Sequence, residues 1–188
     1  MSIRGERMLA ANDIYNNFVN DFSTKIYNLR NDKVFSDYIF LCVGSDKITG
    51  DAFGPLVGGK LESLFKNLYN NIKVIGTLEN PVSGNNLNKE VEKIYTMYEN
   101  PCVIAIDAAL SVKNDIGKII VTNSKMKFGK GTNKKMLEIG DISIKGVVAR
   151  DHKIPKYNFS ELQNTSLNIV IKLANITSEG IYNVIKYR

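Results

Sequence analysis

A chain of 188 residues with 44% hydrophobic and 23% charged residues has the composition of an ordinary soluble globular protein, long enough to bury a substantial core. No apolar run approaches the length of a membrane span, and two distant cysteines make no disulfide framework. The formal net charge of +6 is partly local, since residues 125–135 (KMKFGKGTNKK) hold five lysines and no acid.

The N-terminal stretch has two arginines but no apolar segment ahead of a small-residue cleavage site, so no secretory signal is expected. Ile14, Phe18, Phe22 and Ile26, spaced by four, predict an amphipathic helix over 12–29. Tyr38 to Val43 is continuously apolar, the mark of a strand covered on both faces. Gly44 stops it, and a short polar loop carries Asp46, Thr49 and Asp51. Gly54-Pro55 then opens a helix whose stripe is Val57, Leu61, Leu64, Phe65 and Leu68. Asp51 is therefore expected beyond the carboxyl end of a buried strand, where open α/β sheets bind ligands.

KVIGT (73–77) predicts a short strand, followed by the turn-rich LENPVSGNN (78–86) and a helix from about Asn88 to Glu99. Asn100-Pro101 breaks that helix, and PCVIAID (101–107) forms a second wholly apolar strand ending in Asp107. Residues 116–123 predict another strand. The lysine run after it reads as a solvated loop, or as a contact for an acidic partner or a phosphate backbone; without a nucleic-acid motif, nucleic acid is the weaker reading. Residues 141–148 alternate before turning apolar, which suits a strand nearer the sheet edge. The polar segment 149–158 holds the single histidine, His152. Two helices should follow, one capped by Ser160 and one opened by Thr177-Ser178-Glu179. The order predicts an α/β fold, a three-layer α/β/α sandwich around a mostly parallel sheet of about five strands. Residues 1–188 are expected to be one domain, with residues 1–33 as a helix packing on it. Cys42 and Cys102 fall in core strands as small hydrophobes, and with no export signal they favour a reducing cytoplasm.

The chemical signal is the pair Asp51 and Asp107, each following an unusually apolar strand. Two carboxylates that meet cannot both ionise cheaply, so they titrate as a coupled pair sharing one proton. That state offers a base to activate water and an acid to protonate a carbonyl or leaving nitrogen. The dipole of the following helix favours charge on Asp51, making it the base. Asp46 is either a third carboxylate or a loop cap. Thr49 and Gly54 are supporting candidates. An oxygen-only pair also suits a hard divalent cation, the minority reading; His152 lies in a different loop, and no cofactor is expected.

GSDKITGDAFGPLVG (44–58) and VIAIDAAL (103–110), with GTLENPV (76–82), GDISIKGVV (140–148) and LQNTSLNIVIKLA (162–174), resemble the YyaC family of sporulation proteins. That family is related to the germination protease of spore-forming bacteria and similar in fold to hydrogenase maturation endopeptidases. The resemblance implies a phosphorylase/hydrolase-like fold and an acid-protease dyad at Asp51 and Asp107. It implies a protein substrate, with small acid-soluble spore proteins the candidate, in the cytoplasm of a forespore, spore core or mother cell. This chain is shorter than the germination protease. It also has no histidine in the matching region after Asp107, where maturation endopeptidases place one for metal recognition. A non-catalytic binding or regulatory module on the same fold, using the lysine run, and a metal-assisted hydrolase are the alternatives.

Overall fold

Strands with no polar face end up at the centre of a sheet, and two such strands organise this molecule. The computed structural model describes residues 3–66, 68–128 and 137–186. Its main sheet has the order β2-β1-β3-β7-β4. Here β1 is Asp37–Cys42, β2 is Ile72–Ile75, β3 is Pro101–Ser111, β4 is Ile119–Thr122 and β7 is Ile142–Arg150. The first four in spatial order are parallel, and β4 closes one edge antiparallel to β7. A separate hairpin pairs β5 (Met126–Phe128) with β6 (Leu137–Ile139).

Helices cover both faces. On one lie α1 (Ile3–Asp32), α2 (Phe53–Phe65) and α5 (Leu167–Lys186), whose Phe18, Phe22, Val57, Leu61, Leu173 and Ile181 pack against Phe40, Ile104 and Ile144. On the other, α3 (Leu87–Met97) and the hairpin bury Val91, Ile94 and Ile139 against Ile39, Leu41 and Val103. The three-layer α/β sandwich with a mostly parallel five-stranded sheet is what the strand pattern predicted. The N-terminal helix supplies Phe18, Phe22 and Ile26 to the same core.

Four details differ from the sequence reading. The strand 101–107 continues to Ser111, so Asp107 lies within β3 and not at its end. It marks instead the level at which β1 stops, since the last β1–β3 pair is Cys42 with Ile106. The strand expected near the edge is β7, which is interior, between β3 and β4. Its alternation misleads because Ser143 is buried, donating to the Ser124 carbonyl, while Lys145 stands beside Asp107.

The C-terminal helices break at Asn164–Ser166 rather than before Thr177. Asn164 turns the end of α4 (Pro155–Gln163), its backbone N–H and its side-chain amide both donating to the Ser160 carbonyl. Thr177 and Ser178 are fully buried inside α5, where Gly180 leaves room for the ring of Phe18. Finally, α2 ends at Phe65, leaving Leu68 56% exposed. Of the lysine run, 125–128 ends in β5, with Lys127 paired to Glu138 at 3.0 Å; Lys130 and the rest to 135 lie outside the described residues.

Candidate active site

The Asp51 loop is built by close backbone approach. Val43 N–H donates to Ile106 O at 2.7 Å and Gly44 N–H to Val82 O at 2.7 Å, so the end of β1 is tied to both sides. The chain then folds back until Ser45 N–H reaches Asp51 O at 3.2 Å. Gly44 permits this: its φ is +148°, and a Cβ there would sit 2.0 Å from Asp51 O. Residues Gly50–Ala52 form one 3-10 turn leading directly into α2. Gly54 lies on the strand end, where a Cβ would be 2.0 Å from Val43 O. The ring of Phe53, fully buried, fills the space a side chain at Gly146 of β7 would occupy.

This turn sets Asp51 against the continuing part of β3. Asp107 is half-buried, and its Oδ1 accepts the N–H of Ala108 at 2.8 Å. Burial pushes its carboxyl well above the ordinary range, and the charge of Asp51 pushes the same way; the Ala108 N–H and Lys145 oppose them. Asp51, also half-buried, is raised by burial. The two acids are thus within electrostatic reach of each other, with Asp107 the stronger holder of a proton. Asp51 lies beside the N-terminus of α2, where the helix dipole favours negative charge.

The remaining candidates lie differently. Asp46 is exposed at the tip of the loop, where the side chain that accepts the Lys47 N–H, at 3.1 Å, is Ser45. Thr49 begins the 3-10 turn and contributes its carbonyl to Ala52 N–H at 3.3 Å. Gly54 is buried by packing. His152 Nε2 meets Glu161 Oε1 at 2.9 Å beyond the end of β7. Among the described residues, no group of three or more His, Cys, Asp or Glu is placed to hold a metal ion. Two surface grooves, of about 630 and 540 Å³, run along β2 and are not lined by either acid.

Sequence reasoning missed Lys145. It pairs in register with Asp107 across the parallel β3–β7 ladder, so the two side chains leave the same face. Sequence reasoning also started α4 at Ser160 rather than Pro155 and did not foresee that Leu162 packs onto Gly50, where a Cβ would meet its Cδ2 at 2.7 Å.

The comparisons agree with this architecture. The family described as "Protein of unknown function (DUF1256)" matches residues 8–180. YyaC of Bacillus subtilis (strain 168), an uncharacterized protein, is 36% identical over 143 residues, 76% of this chain and 67% of that protein. The crystal structure of the [NiFe] hydrogenase maturation protease HycI from Thermococcus kodakarensis KOD1 superposes with a TM-score of 0.56. That match covers 81% of this chain and 94% of HycI, at 18% identity, and shows a shared fold.

Proposed function

This chain belongs to the DUF1256 family, and from that premise we propose that it is a peptidase of the sporulation or germination programme, hydrolysing peptide bonds with Asp51 and Asp107. The observation that carries the reading is the unequal acid pair: two half-buried carboxyls from separate elements, each raised, with Asp107 raised further. The motif resemblance to the germination protease and the fold shared with a maturation protease lend support.

In the mechanism, ionised Asp51 takes a proton from water as the water oxygen bonds to the scissile carbonyl carbon. The carbonyl π pair moves to oxygen, which receives the proton of Asp107, giving a neutral diol. Collapse restores the carbonyl and breaks the C–N bond. The proton held by Asp51 passes to the leaving nitrogen and a hydroxyl proton returns to Asp107, so both acids end as they began. The proposed substrates are small acid-soluble spore proteins.

Purified small acid-soluble spore proteins incubated with the full chain should be cleaved. Asp51→Asn and Asp107→Asn should each reduce cleavage by at least about 10³-fold, the loss expected when an acid or base that acts as part of a unit is removed, without lowering the melting temperature. Full cleavage by either variant would refute the dyad.

A further inference from the structure

Asp107 and Lys145 are cross-strand partners on parallel β3 and β7, leaving the same face of the sheet. Adjacent strands stand about 4.8 Å apart, so the two side chains leave the sheet from neighbouring positions. On the far side of Lys145 the register partner is Ile120 of β4, which brings no charge. Lys145 is half-buried between these strands, in an interior strand where most residues are buried. A lysine in such a strand can pack its apolar stem on the sheet, but partial burial of its ammonium costs free energy.

We propose that Lys145 is a positioning residue of the acid pair: its ammonium is a built-in positive charge beside Asp107 that keeps the proton on that acid transferable. The inference rests on the dyad reading above. Without a cation, a buried acid next to an ionised one would hold its proton too tightly to give it to a substrate oxygen. With a lysine in a close ion pair, the acid would have no proton to give. Lys145 serves because it acts across the ladder without taking the place of that proton. The charged groups acting on Asp107 among the described residues are Asp51, from the turn before α2, and Lys145, from β7. They pull in opposite directions, and Lys145 works in the same sense as the Ala108 N–H.

The test needs no substrate. Carbon-13 labelled aspartate in the full chain gives a titration curve for the Asp107 carboxyl, assigned by its disappearance in Asp107→Asn. Lys145→Met should move that midpoint to higher pH by about one unit or more, the range expected for loss of a neighbouring opposite charge. Lys145→Arg should keep it within a few tenths. Lys145→Gln, which leaves a polar chain at this half-exposed position, gives the same readout if the methionine variant does not fold. An unchanged midpoint in the folded neutral variant overturns the proposal, because a merely structural lysine would leave it there. Asp51→Asn is the separate arm: it should lower the Asp107 midpoint. A midpoint indifferent to Asp51 but sensitive to Lys145 would refute the acid pair while leaving the lysine coupling in place.

Discussion

At the scale of the residue, the cost of the site is written in Asp107. Its carboxyl holds a proton more tightly in the folded chain than at its ordinary value of 3.8. Between those two values the native state binds more protons than the unfolded state, so stability falls as pH rises through the window. Asp107→Asn cannot ionise and escapes that loss. It should melt above the wild type at about pH 8, with the gap closing toward about pH 4, where both chains carry a neutral group. Thermal melts across that range check the sign; a variant less stable than wild type at alkaline pH would contradict the raised carboxyl. Cys42 is pushed up in the same way, by burial alone, and is inert for the same physical reason.

At the scale of the element, the motif DAFGP is a packing device as much as a chemical one. Phe53 lies in the hollow left by Gly146, with the place of a Cβ only 2.6 Å from Phe53 Cζ. Gly146→Ala should therefore destabilise the chain by about 1–3 kcal/mol, the usual cost of overfilling a core. Adding Phe53→Leu should recover part of that, so the double variant costs less than the sum. Urea titration of the three variants measures the coupling, and strict additivity would place the ring elsewhere. These contacts also explain what was legible in the chain. Strands β1 and β3 announce themselves because both faces are covered, so Phe40, Leu41, Ile104 and Ile106 run together without a polar break. Asp51, beyond the end of β1, and Asp107, inside β3 just past its apolar run, could be picked out for the same reason. Lys145 could not, because what gives it meaning is register with a strand far away in sequence, and alternation with Ser143 imitates a solvent face. The α4–α5 boundary failed because Thr177-Ser178-Glu179 has the composition of a cap, whereas Thr177 and Ser178 are buried in the middle of α5. The hairpin strands have three described residues each, too few for periodicity to register.

At the scale of the whole molecule, elements far along the chain converge on the turn that carries Asp51. Leu162, on the short helix α4, rests on Gly50 although α4 buries no residue fully. Leu162→Ala should speed amide exchange at Ser45 and Ala52, whose N–H groups close the turn onto Asp51 O and Ile48 O, while Ile104 and Ile106 stay protected. Equal exchange in both chains would mean that α4 does not hold the turn. Underlying this is an asymmetry set by β3 running on to Ser111, hydrogen-bonded to β7 on either side of Asp107. Asp107 is gripped like the fixed jaw of a vice, since moving it means tearing the middle of the sheet. Asp51 rides on the adjustable jaw, a turn closed by its own backbone hydrogen bonds and backed by α4 and α5. Whatever width the bite must open to, the travel belongs to Asp51.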